Sequence, residues 1–116
     1  MELSAHPVAF KNGDLIVVSF YDQQQLYGVS LSRELGQPGI ELMVADQSCY
    51  ELSSGQVQLS KDKMHLMLPP GTIDRVDGED EYVVRFTECT SAEYDTLHSH
   101  LREILEGNDH VVLRCA

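Results

Sequence analysis

The sequence predicts an α+β fold: a largely antiparallel sheet of seven to eight short strands, with one amphipathic helix at about 91–106 packed on it. Three observations carry this reading. Short apolar segments alternate with period two, which places successive side chains on opposite faces of a strand. Turn residues separate these segments closely, so neighbouring strands run antiparallel. A single helical stripe, Tyr94, Leu97, Leu101, Ile104 and Leu105, follows near the end. With 116 residues, the chain suits one domain, 1–116.

Pro7 to Phe10 starts extended, and Asn12-Gly13 is a strong turn dipeptide. Asp14 to Phe20 is rich in β-branched residues and holds the longest apolar run, Leu15 to Val18. These two segments predict an N-terminal hairpin. Tyr21 to Gln25 reads as a polar connection, Leu26 to Leu31 as a second long strand, and Arg33 to Gly39 as a loop. Ile40 to Ala45 is apolar again, with Glu41 pointing out, and Cys49 to Leu52 continues that strand or lies along its edge.

The segment GQVQLSKDKMHLML, from Gly55 to Leu68, predicts a hairpin closed at Ser60 to Lys63. Val57, Leu59, Met64, Leu66 and Leu68 form its core face, with His65 and Met67 on the other. Pro69-Pro70-Gly71 stops the strand. Thr72 to Glu81 is a loop, and Tyr82 to Thr87 a strand with Tyr82, Val84 and Phe86 inward. Thr90-Ser91-Ala92-Glu93 is a capping box that opens the helix, Gly107-Asn108 closes it, and Val111 to Cys115 is a final strand.

Eight basic against nineteen acidic side chains give a net charge of −11. Such a chain repels nucleic acid and anionic membrane surfaces, because both require cations. The absence of a long apolar run excludes a membrane-spanning helix. The N-terminal MELSAHPVAF has neither the basic start nor the apolar stretch of a signal peptide, so a cytoplasmic location is expected. Cys49, Cys89 and Cys115 are widely spaced and odd in number, which argues against a disulfide framework or zinc ribbon. They are expected to be small buried or half-buried residues.

No pattern specifies catalysis. On a helix His98 and His100 point about 200° apart and cannot share one ion. His65 lies between Met64 and Met67, but Met64 points to the opposite face of the strand, so no soft-metal site is expected. Cys89 precedes the helix N-terminus, where a thiol pKa can fall, yet no base is marked beside it. The acidic cluster Asp77, Glu79, Asp80 and Glu81 lacks the ligand spacing of a calcium loop. No cofactor and no metal are expected.

The order of features from about Gly39 to Glu106 resembles the immunity protein 10 family of bacterial polymorphic toxin systems. The resemblance rests on IELMVADQSCYEL, on GQVQLSKDKMHLML, and on EDEYVVRFTECTSAEYDTLHSHLREIL. An acidic strand ends in Asp46-Gln47, a glycine-led V-x-L-S strand and an M-x-L-x-L strand follow, and an apolar strand leads into the helix. Ser53-Ser54-Gly55 stands where the family carries more glycines and aromatics. The resemblance implies a non-enzymatic protein that binds and blocks a cognate toxin in the cell that makes both. A basic nuclease would suit the −11 charge. The acidic loop Asp77, Glu79, Asp80 and Glu81 is the candidate toxin-binding surface. Two alternatives stand beside it: a small enzyme using Cys89 or the histidines, and a structural subunit that forms a homodimer along a sheet edge.

Overall fold

The computed structural model describes residues 1–45 and 47–115. The chain is α+β, and its described residues form ten strands in two five-stranded sheets and one helix. The strands are β1 (Glu2–Ala5), β2 (Val8–Asn12), β3 (Leu15–Asp22), β4 (Tyr27–Glu34), β5 (Glu41–Val44), β6 (Ser48–Glu51), β7 (Gly55–Leu59), β8 (Lys63–Met67), β9 (Glu81–Phe86) and β10 (Val111–Cys115); the helix is α1 (Ser91–Leu105).

One sheet, here the terminal sheet, has the order β1-β9-β8-β7-β10, and the other, the meander sheet, runs β2-β3-β4-β5-β6. The expected single sheet of seven to eight strands is therefore corrected to two sheets. Alternation tells which residues share a face, but not which strands pair. Glu2–Ala5, read only as an N-terminus, is a strand as well. It pairs parallel with β9, Leu3 opposite Val84, across some eighty residues of sequence. The final strand also pairs parallel, with β7. The other six pairings are antiparallel.

Local chemistry explains most elements. Gly13 takes a positive φ of 61° in the β2–β3 turn. Strand β3 runs two residues further than expected, to Asp22, because Asp22 is an anchor rather than a linker. Only 4% exposed, it accepts from the backbone N–H of Ser4 at 2.9 Å, of Gln24 at 2.9 Å and of Gln25 at 3.0 Å. The Gln25 amide also donates to Glu2 O at 2.6 Å. Together they clip β1 beside the β3–β4 turn. Strand β4 likewise continues through Arg33 and Glu34, which the sequence reading placed in a loop. Leu26, read as the start of that strand, is instead a turn residue with φ 54°.

Gly55 opens β7 with φ 151°, and a Cβ there would lie 2.9 Å from Met67 O. Only glycine lets β7 start so close to β8. In the hairpin that follows, Val57 faces Leu66 and Leu59 faces Met64. All four are at most 1% exposed, as the alternation predicted.

The helix starts with both halves of its capping box. Thr90 Oγ1 accepts from Glu93 N–H at 3.2 Å, and Glu93 Oε1 accepts from Thr90 N–H at 3.1 Å. Its stripe of Leu97, Leu101, Ile104 and Leu105 is buried against β2, β3 and β4 on one side and β10 on the other. Each such side chain contributes about 1.5–3 kcal/mol of apolar burial. At the C-terminal end, Asn108 Oδ1 accepts from His110 and Val111 N–H, turning the chain into β10. The two sheets and the helix share one core.

Candidate binding surface

The acidic loop links β8 to β9. Pro69 and Pro70 end β8, and Leu68 N–H donates to Asp80 O at 2.7 Å, which holds the two ends together. Thr72 closes the first turn by donating its N–H and hydroxyl to Pro69 O. Ile73 tucks into the core at 7% exposure. Gly78 lies directly over it, since a Cβ there would sit 2.3 Å from Ile73 Cγ2. Glu79 N–H donates to the buried Tyr82 hydroxyl at 3.2 Å. The loop is thus packed by its own side chain and pinned at both ends, as compact surface loops are. Val76 stands fully exposed at its tip.

All four predicted residues are exposed on this loop or at its junction with β9. Their charges are not equivalent. Arg75 Nε reaches Asp77 Oδ1 at 2.7 Å and Nη2 reaches Oδ2 at 3.1 Å, and these hydrogen bonds hold the Asp77 carboxyl below the ordinary carboxylate range. Arg75 also donates to Ser48 on β6, which ties the loop to the meander sheet. Glu81 Oε1 meets His65 Nε2 at 2.6 Å. Asp80 Oδ1 accepts from Gly71 N–H at 3.3 Å. Neither Glu79 nor Asp80 has a basic partner within ion-pair distance among the described residues. These two are the charges most open to a partner. Asp46, which ends the acidic strand of the resemblance, lies outside the described residues.

The histidines and cysteines fall out differently from the sequence reading. His98 and His100 diverge, as their spacing requires. His100 Nδ1 lies 2.9 Å from Thr96 O of its own helix. His98 stacks on Tyr94, with ring centroids 6.2 Å apart, and its Nε2 lies 3.2 Å from Cys115 Sγ. This thiol–imidazole pair lines an open groove of about 700 Å³ between α1 and β10, together with Arg102, Leu105 and Leu113. Sequence reasoning missed it, because nothing in the pattern states that β10 returns beside the helix.

Cys49 and Cys115 are exposed, correcting the expectation that they are buried or half-buried; Cys89 is half-buried. Burial and then the Glu93 charge push the Cys89 thiol up, the opposite of activation. His6 joins the β1–β2 corner to the helix start, with Nδ1 3.0 Å from Thr87 O and Nε2 2.7 Å from Glu93 Oε2. The Thr87 hydrogen bond, opposed by burial and helped by Glu93, raises its pKa. Among the described residues no group of three or more His, Cys, Asp and Glu could hold a metal, and no helix is long and apolar enough to cross a membrane.

The second missed surface is the outer face of the meander sheet. Val8, Phe10, Leu15 and Tyr21 are 38–49% exposed there. The unbroken run Leu15 to Val18 was a signal for it, since such runs suit strands buried on both faces. Comparison of the chain with family models, curated proteins and solved structures found no match.

Proposed function

We propose that this protein is a non-catalytic binding protein of the immunity type, which neutralises a toxin protein by occupying a basic surface on it. The observation that carries the reading is the pinned, exposed acidic loop on a chain of charge −11, with Glu79 and Asp80 lacking a basic partner among the described residues. A loop held by Ile73 and Tyr82 presents its charges with little ordering left to lose on binding. Steering by such charges speeds encounter with a cationic partner. The family resemblance from Gly39 to Glu106 supplies the toxin as the partner class, and a basic nuclease is the subclass that fits the charge.

The test takes the product of the neighbouring reading frame, which on this reading carries the toxin domain. Lysine at Asp77, Glu79, Asp80 and Glu81 together is expected to slow association by about tenfold or more and to flatten its salt dependence. Lysine at Glu79 and Asp80 alone is expected to supply most of that loss. Unchanged association rate and salt dependence exclude the loop as the interface.

The Cys115–His98 distance of 3.2 Å favours a second reading, a small enzyme with a thiol nucleophile and an imidazole base. It requires alkylation of Cys115 near neutral pH faster than that of Cys49, with the difference removed by His98→Ala. Equal rates for the two exposed thiols exclude it.

A further inference from the structure

We propose that the outer face of the meander sheet is a second docking surface, and that its occupant is a protein segment carrying lysine or arginine beside apolar side chains. The proposal rests on the reading of this chain as a binding protein and extends it to a part of the molecule that the acidic loop does not include.

The sheet is covered on one side only. Ile16, Val18, Phe20, Val29, Leu31, Leu42 and Val44 on the inner face are wholly buried. The opposite face carries Val8, Phe10, Leu15 and Tyr21 exposed, with Val17 and Met43 half-buried among them. An antiparallel sheet with one wet face is expected to be polar on that face. Here strand register brings Phe10 beside Val17, and Val8 into one row with Ser19, Ser30 and Met43. The small Ser19, Ser30 and Ser32 along the middle leave an open groove of about 1050 Å³ between the Phe10 and Met43 sides. Contiguous exposed apolar surface rimmed by polar groups marks interaction sites.

Charge selects the occupant. Glu41 and Glu51 are direct cross-strand partners on this face. Like charges set opposite one another destabilise a strand pair. Neither they nor Glu34 has a basic partner within ion-pair distance among the described residues. Two cations carried by this sheet are committed elsewhere. Lys11 Nζ binds Glu103 Oε2 on α1 at 2.9 Å, and Arg33 Nη1 reaches carbonyls at the end of that helix. The fold thus carries two carboxylates without a basic partner among the described residues beside an uncovered apolar groove. A cationic side chain from a partner relieves the first while its apolar neighbours fill the second. A second copy suits the face poorly, because it brings −11 against −11. Nucleic acid is repelled by the same carboxylates.

The experiment titrates the neighbouring toxin domain against the full chain, against a face variant, Phe10→Ser with Glu41→Lys, and against the loop variant, Glu79→Lys with Asp80→Lys. Melting temperature controls for folding. It is expected to stay the same or rise in the face variant, because Glu41→Lys removes the like-charge pair. The proposal expects the face variant to weaken binding by at least about tenfold, since exposed aromatic anchors dominate interfaces. Toxin binding unchanged in the face variant overturns this proposal and leaves the binding-protein reading standing. Failure of the unaltered chain to bind the toxin overturns both. Self-association of the chain that the face variant abolishes assigns the face to a second copy and overturns the proposed occupant.

Discussion

The hydroxyls of Tyr27 and Tyr82 meet at 3.2 Å inside the core, one carried by each sheet. Their rings stack at 6.1 Å, and Tyr82 is fully buried. Tyr82 O also accepts from Glu79 N–H, and its second lone pair is open to the Tyr27 O–H. Burial, reinforced by this hydrogen bond, raises the Tyr27 phenol above its ordinary range. One short chain of hydrogen bonds therefore joins the acidic loop to the seam between the sheets.

Tyr82→Phe is expected to lower stability by about 1–3 kcal/mol, because it strands both the Tyr27 hydroxyl and the Glu79 N–H. Tyr27→Phe leaves Tyr82 bonded to Glu79 and is expected to lower it by less. Urea denaturation of both single variants and the double variant checks this. The double variant is expected to lose less than the sum of the singles, because the two hydroxyls are partners.

Asp22 contributes to the acid limit of the fold. Its carboxyl is held below the ordinary range, first by the Ser4 N–H and then by Gln25. A depressed folded pKa favours the ionised form in the native state. The resulting stability is present above the unfolded carboxyl value of about 3.9 and is lost as pH falls through the lower folded value. Asp22→Asn is expected to lower the melting temperature at pH 7 and to reduce the loss of stability between about pH 5 and pH 2. Amide exchange at Leu3 to Ala5 is expected to speed up, because Asp22 holds β1.

Leu26 is a bulky residue in the left-handed region, with φ 54° and 72% exposure. At that exposure little apolar burial offsets the conformation. Leu26→Asn is expected to stabilise the chain by about 0.5–1 kcal/mol, since asparagine tolerates that conformation better. A thermal melt showing no gain contradicts the strain assigned to this turn.

Arg33 serves the helix from the meander sheet. Its Nη1 donates to Glu103 O at 3.4 Å and Ile104 O at 3.3 Å, and it also reaches Glu106 O. A guanidinium there satisfies orphan carbonyls and opposes the negative end of the helix dipole. Arg33→Met is expected to lower stability by about 1–2 kcal/mol and to speed amide exchange between Leu101 and Glu106. Lysine at the same position is expected to recover only part, because it lacks the planar fork.

Strand and helix positions were legible where a residue's role follows from its near neighbours. The capping box at Thr90 and Glu93, the stripe of Leu97, Leu101 and Ile104, and the alternation of Val57, Leu59, Met64 and Leu66 are local patterns, and the structure contains all of them. The acidic loop was legible as a run of carboxylates. That Arg75 and His65 pair with two of them was not, because His65 reaches Glu81 across sixteen residues.

By itself, the sequence determined the inward faces of the β7–β8 hairpin and of the helix, where the helix starts and stops, and that the chain is strongly acidic, since these depend on side-chain chemistry at spacings of two to four residues. Tertiary structure alone decided the rest. It split the strands into two sheets by sending β1 to β9 and β10 to β7. It brought His98 to Cys115, and it left one face of the meander sheet uncovered. Each of these follows from pairing between segments distant in sequence, where burial of the shared core selects the partner and no local periodicity records the choice.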